Sequence, residues 1–266
     1  MFAERDNGKA ASSQNALQLG CAVCSAAEHH ICDVSGKTVP TVAELERRFI
    51  PQSSHTIKAR RLIVHEQDFH DAVPVVCSGW AASVKMLADG RRQILSVLLP
   101  GDVVSMGLLF APKPGRVVEA ITDVCYRTFK RRELKNHLFK QPELLDKFLN
   151  AWIAEQTRAD RLIVDLGRRS GEERIARLIL NLAQRLKVRD MMRDPTNMDF
   201  PLRQHHIADA TGLTQVHVSK VVSDFRRNGL VEFRQRSLSI LDIEGLRHRA
   251  NIHTRSDGVF YALPAM

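Results

Sequence analysis

The sequence predicts an α+β protein in which an antiparallel β-roll, a long helix and a winged helix-turn-helix follow one another. Three observations lead there. Between residues 57 and 130, short runs rich in Val, Ile and Leu are cut by Asp-Gly at 89–90 and by Pro-Gly at 100–101 and 114–115. From Pro142 to Gly167 largely apolar residues recur at steps of three and four. Residues 203–233 carry the spacing of two short helices joined at a glycine, followed by a hairpin.

The elements divide the chain at 1–39, 40–141, 142–168, 169–250 and 251–266. The first segment is polar and weakly periodic, with a short amphipathic helix expected just after it at TVAELERRF. Within it, GCAVCSAAEHHIC (20–32) crowds Cys21, Cys24 and Cys32, three of the five cysteines, beside His29 and His30. An odd thiol count argues against a disulfide framework. Four uses remain open on the residues alone. They are an iron–sulfur ligand set, a zinc site completed by His29 or His30, a bare thiol sensor, and an inert tail.

The roll region, 40–141, predicts short antiparallel strands, with Asp89-Gly90 as a hairpin turn. Cys77, in VVCSG, reads as a buried strand residue. In 142–168, Leu145, Phe148, Trp152, Gln156, Ala159, Ile163 and Leu166 form one stripe on a helix of roughly seven turns. Leu145, Phe148, Trp152, Ala159, Ile163 and Leu166 are the predicted dimerisation residues. EERIARLILNLAQRL (172–186) predicts a second amphipathic helix, and a polar loop, RDPTNMDFP, follows it.

In RQHHIADATGLTQVHVSKVVSDFRRNGLVEF, Ile207, Ala208, Leu213, Val218, Val221 and Phe225 form the packed face of a helix pair. Gly212 falls at the tight turn, and Thr214 is placed to cap the second helix. That leaves Gln215, Val216, His217, Ser219 and Lys220 on the half of the helix that enters a major groove. Gln suits adenine, Lys suits guanine acceptors or phosphate, and Val suits a thymine methyl. NGLVEFRQRSLSIL predicts a wing whose Arg234 and Arg236 meet phosphates. His205 and His206 are expected to face solvent or phosphate. Residues 203–249 hold eight Lys and Arg against five Asp and Glu, and the whole chain carries +9. Both fit double-stranded DNA as partner.

Other classes are disfavoured. No Walker loop, G-x-G-x-x-G after a strand, H-E-x-x-H or G-x-S-x-G is present, so the chain is not read as an enzyme. No stretch approaches the ~20 apolar residues that span a bilayer. The N-terminus is too polar for a secretory signal, so a cytoplasmic location without membrane contact is expected.

Through GWAASVKMLADGRRQILSVLLPGD, EERIARLILNLAQR and IADATGLTQVHVSKVVSDFRRNGL, residues 40–250 resemble the Crp–Fnr family of transcription regulators. The resemblance implies a cyclic-nucleotide-binding-type β-roll, a dimerisation helix and a winged reader. It further implies a homodimer on two-fold-related half-sites that acts on RNA polymerase. The cAMP binders of the family hold their ligand with Gly-Glu-Leu and a later Arg-Ser. Here Met106 stands for the Glu and Pro114-Gly115 for the Arg-Ser, with Arg116 out of register, so no cyclic nucleotide is expected. The cysteine triplet resembles that of the oxygen-sensing branch, and Cys125 falls where its fourth ligand falls, with Cys77 in reserve. That branch implies a [4Fe–4S] cluster on Cys21, Cys24, Cys32 and Cys125, controlling dimerisation and DNA binding. Nitric oxide, thiol redox or a zinc-bound lobe is the alternative signal. FNR-type readers carry Glu, Ser and Arg where this chain has Val216, Ser219 and Lys220, which implies a different half-site.

Overall fold

The computed structural model describes residues 51–65, 71–113, 115–188, 191 and 197–252. Cys21, Cys24, Cys32, His29, His30, the helix expected at 41–49 and the tail from 253 lie outside the described residues.

Among the described residues, seven strands build the roll: β1 (Ser53–Ile57), β2 (Leu62–Val64), β3 (Ala72–Ser78), β4 (Ala81–Met86), β5 (Arg92–Leu98), β6 (Val117–Ala120) and β7 (Val124–Lys130). They pair antiparallel in two sheets, β1-β7-β3 and β2-β6-β4-β5. Alternation sets what lies inside. Val64, Val76, Ala81, Val118, Ala120 and Val124 fill the space between the sheets. The hairpin foreseen at Asp89-Gly90 joins β4 to β5, with Gly90 at φ +84° and its N–H donating to Leu87 O at 3.0 Å.

The tight corner at Gly79 has a sharper requirement. Its φ is +82°, and a Cβ there would run into the Asp123 carbonyl. Beside it, Trp80 N donates to Thr122 Oγ1 at 2.9 Å. This corner passes the chain from one sheet to the other.

After β7 comes a helix that the sequence reading omitted, α1 (Arg131–Lys140), which buries Leu134 and Leu138 against the roll. The long helix α2 (Pro142–Arg168) starts with proline at its first turn, where no N–H is needed. Then α3 (Gly171–Val188) begins at a reciprocal cap: Ser170 N donates to Glu173 Oε2, and Glu173 N donates to Ser170 Oγ. The reader comprises β8 (Asn197–Asp199), α4 (Gln204–Thr211), α5 (Gln215–Arg227), β9 (Val231–Arg234), β10 (Ser237–Ile240) and α6 (Ile243–Arg249). Its three strands pair in the order β8-β10-β9.

Roll and reader are not separately cored. One apolar cluster runs from Trp80, Val84 and Ile94 on the outer face of the roll through Ile175 and Leu182 to Ile207 and Phe225. Trp80 meets Phe200 edge-on at 6.4 Å, and Phe200 meets Phe233 likewise at 5.7 Å.

The long helix divides its apolar residues differently from the single stripe expected. Leu144, Phe148 and Ala151 are buried inside this chain's own roll, Phe148 being only 3% exposed, with Leu145 packed against the same cluster. Leu149, Trp152, Ile153, Ile163 and Val164 remain exposed, Ile163 at 69%. Ala159 is exposed and Leu166 is half-buried toward the reader. At about 100° per residue, the exposed face is centred roughly 60° away from the expected stripe. Phe148 is thus committed to the roll, and the stripe through Leu145, Phe148 and Leu166 blended an inner face with an outer one. Among the described residues, no helix is long and apolar enough to cross a membrane.

Gly79→Ala should destabilise the roll by about 3 kcal/mol or more, because a side chain meets backbone that cannot yield. Thermal or urea unfolding measures this, and a loss under about 1 kcal/mol would mean the corner can open.

Candidate nucleic-acid interface

The reader is built around two local devices. Gly212, at φ +66°, ends α4 and passes the chain to α5. Thr214 then caps α5, its Oγ1 accepting from His217 N at 3.2 Å. Val218, Val221 and Phe225 pin the buried side of α5. The opposite side is left to solvent.

Gln215, Val216, Ser219 and Lys220 come together there with Gln204 and Ser223, lining one shallow concavity. Gln204 and Ser223 were absent from the sequence-derived set. Gln204 opens α4, and Ser223 lies one turn beyond Ser219, so helical spacing extended past Lys220 signals the latter. Val216 is 81% exposed, an apolar side chain on the outermost line of the helix with none of the described residues covering it. His217 leans the other way: a Cβ on Gly171, at the start of α3, would stand 2.7 Å from its Nε2. The first turn of α5 therefore rests on the α2–α3 junction.

The wing forms as expected. β9 and β10 are joined by Gln235 and Arg236, since Arg234 pairs with Ser237. Both loop residues have positive φ, +39° and +70°, in a two-residue turn that usually recruits Asn-Gly. Keeping Gln and Arg there costs about 1 kcal/mol or more in backbone strain, a pattern found where side chains serve binding. Arg234 is exposed and paired to Glu232 at 2.7 Å. Arg236 is exposed and lines a hollow with Ala59 and Arg60 of the roll.

His206 does not face solvent or phosphate. It is buried, and its Nδ1 accepts from Arg203 N at 3.0 Å, closing the first turn of α4. Burial, with the positive charge of His205, Arg92 and Arg203 added, lowers its pKa to about 4. A neutral imidazole is what this cap requires, because a protonated Nδ1 cannot accept.

Polar contacts hold the reader against the roll. Arg92 on β5 joins Glu119 and reaches Asp209 of α4 at 2.8 Å. Gln93 Nε2 donates to Ala210 O at 3.3 Å, and Arg185 of α3 pairs with Asp102 at 2.7 Å.

In the roll, Cys125 lies on β7 opposite Thr56 of β1 and Ser78 of β3. It is 5% exposed, with its Sγ 3.9 Å from Ser54 Oγ. Cys77 is buried deeper, at a register shift in β3, and its thiol donates to Val75 O at 3.8 Å. Met106 is buried in the 3₁₀ turn Met106–Leu109, and Arg116 pairs with Glu155 of α2 at 3.2 Å. Among the described residues, no three His, Cys, Asp or Glu side chains converge as a metal site.

Roll, long helix and winged reader define the class: a DNA-binding regulator. Two family models match, the cyclic nucleotide-binding domain over residues 54–141 and the Crp-like helix-turn-helix domain over 173–249. The transcriptional activator protein FnrL of Cereibacter sphaeroides is 31% identical over 199 residues, covering 72% of this chain and 73% of that protein. The nitrogen fixation regulation protein FixK of Rhizobium meliloti is 30% identical over 202 residues, 76% of this chain and 89% of that one. The structure of FixK2 from Bradyrhizobium japonicum superposes with a TM-score of 0.67 at 28% identity, covering 74% of this chain and 96% of that one. The chain belongs to the Crp–Fnr family of transcription regulators, whose members bind DNA and act as dimers and are not enzymes. The cysteines at 21, 24 and 32 precede both matched ranges.

Val216→Glu should move base preference by roughly 1–3 kcal/mol toward sites offering cytosine N4, with stability unchanged, as read by binding-site selection. A second expectation concerns acid. The folded-state pKa of His206 is depressed, so the unfolded chain takes the proton first. Stability is full above about pH 6.5, falls as the pH drops, and levels near 4, at roughly 1.4 kcal/mol per unit of difference. Urea unfolding from pH 7.5 to 4.5 should show that slope, and His206→Gln should flatten it.

Proposed function

We propose that this protein is an oxygen-responsive transcription regulator in which Cys21, Cys24, Cys32 and Cys125 hold a [4Fe–4S] cluster that controls dimerisation and DNA binding. The observation that carries this reading is the setting of Cys125. It belongs to the same packed cluster as Leu144, Phe148 and Ala151, the inner face of α2. It also sits against β1, the strand by which the N-terminal segment joins the roll, with Gln52 N already bonded to Thr128 O on β7. A thiolate here meets both requirements of a fourth ligand, nearness to the incoming segment and a rigid support.

The donor set fits the group in number, since four thiolates serve four irons; the cluster when bound supplies the reactivity toward oxygen. The chain's residues do the rest. Cys125 fixes one corner to the roll. Leu144, Phe148 and Ala151 convey a shift of β7 to α2, because a close-packed interior transmits displacement rather than absorbing it. The outer face, with Leu149, Trp152, Ile153 and Ile163, is the dimer seam. Two readers on a two-fold axis then take half-sites about one helical turn apart. The regulator acts in the cytoplasm through RNA polymerase.

Protein purified without oxygen should be straw-brown, hold roughly four iron and four sulfide per chain, and bleach in air. Cys125→Ser should lose the iron and drop to monomer while Cys77→Ser keeps both. Colourless, iron-free wild type under those conditions would sink the sensor, and zinc in its place would point to a closed structural site.

A further inference from the structure

We propose that the hollow between the β1–β2 turn of the roll and the wing of the reader binds a small organic phosphate, a flat ring that carries phosphoryl groups. The hollow measures about 380 Å³, inside the ~300–1,000 Å³ range of small-molecule sites. Arg60 borders it from the roll, Arg203 and His205 from the start of α4, and Arg234 and Arg236 from the wing. No carboxylate among the described residues lines it.

Charge and strain both single the place out. Of its four arginines, only Arg234 has an ion-pair partner among the described residues, Glu232 at 2.7 Å. Arg236 feels Asp123 at longer range, but that carboxylate is already taken by Lys58 Nζ at 2.7 Å and Ala59 N at 3.0 Å. The same two bonds fix the β1–β2 turn, in which Arg60 N donates to Ala120 O at 2.7 Å. Arg60 is held there at φ +68°, and Arg236 in the wing turn at φ +70°. Glycine would take either position without strain, so what these turns keep is the guanidinium, at a cost to the backbone. Burial, with the charges of His205, Arg92, Arg203 and Arg60 added, lowers the pKa of His206 on the same wall to about 4, as a positive potential in the hollow requires.

The apolar part of the wall decides what kind of anion fits. Cations alone suit any polyanion. Here Phe200 and Phe233, edge-on to each other at 5.7 Å, line the same space with Ile121 and Leu202. An inorganic oxyanion leaves that surface without a partner. A flat ring covers it and presents its phosphates to the guanidinium forks. The hollow is also separate from the groove-reading face, because Gln204 lines the concavity of α5 while its neighbours Arg203 and His205 line this one. It lies outside the roll's interior, where Met106 packs. A guest here joins Arg60 of the roll to Arg236 of the wing and ties the wing down. None of this draws on the cysteines, and the site stands or falls apart from the iron–sulfur reading.

The test uses the full-length chain in chloride buffer, titrated calorimetrically with ADP and with pyrophosphate at matched ionic strength. Saturable ADP binding is expected, tighter than that of pyrophosphate. It should weaken roughly tenfold or more in Arg60→Gly/Arg236→Gly, whose thermal midpoint stays level or rises because the strain is gone. Arg203→Gln, outside both turns, should weaken it as well, and Lys220→Ala should leave it unchanged. Pyrophosphate binding as tightly as ADP overturns the organic guest. Absence of saturable ADP binding in wild type overturns the site, and if Arg60→Gly then weakens duplex binding uniformly across sequences, the occupant is a DNA phosphate. ADP binding lost in Lys220→Ala but kept in the glycine variant overturns it too, by locating the anion on the DNA surface.

Discussion

Everything in this molecule turns on one helix having to serve two apolar environments. Over the 27 residues of α2, the inner face must pack the roll while an outer face of apolar residues stays exposed. Both sets recur at helical spacing, so they interleave in sequence and separate only in rotation. The inner set ends near Ala151, where the roll ends. Beyond it the same face becomes polar and turns its arginines toward α3 and β5. One continuous element thus passes from apolar support to a charged junction without a break in its backbone.

That change of texture explains how the reader is held. A purely apolar contact between roll and reader would be strong but indifferent to direction. Here the apolar cluster supplies contact, and Arg92, Gln93, Arg174 and Arg185 supply registry through bonds to Asp209, Ala210 O, Thr211 O and Asp102. Buried pairs of this kind contribute little net stability but strongly penalise misplacement. Gly212 belongs to the same junction, since a Cβ there would approach Leu166 of α2 to 3.1 Å. The residue needed for the turn is also needed for the fit.

The turn chemistry was the most legible part of the chain. Asp89-Gly90, Gly212 and Thr214 each specify a local geometry whose physics lies within a few residues, and each adopts it. The side of α5 left outward was legible for the same reason. What failed to show were features decided by distant partners. Leu134 and Leu138 make α1, and Leu246 makes α6, but each offers too few apolar positions to be told from a loop without the surface it covers. Asn197–Asp199, read as loop, becomes β8 because β10 presents an edge to it. His206 reads as an exposed histidine until the fold buries it beneath its own helix start. The arginines of the junction are spread over nearly thirty residues of two helices, with no spacing that marks them as neighbours.

The reader itself shows how far binding and stability pull apart in one small domain. Its buried side is close-packed, while its outward side carries an unclothed valine and its wing turn holds two non-glycine residues at positive φ. Neither helps folding: exposed Val adds no burial, and Asn-Gly would form the turn with less strain. The valine becomes sensible against a duplex, where it would shed its water against a thymine methyl. The wing turn lies nearer the roll, Arg236 lining one hollow with Ala59, Arg60 and His205. Val216 falls on the same side of the domain as Gln204, Gln215, Ser219, Lys220 and Ser223. Specific recognition here rests on what the fold leaves unsatisfied.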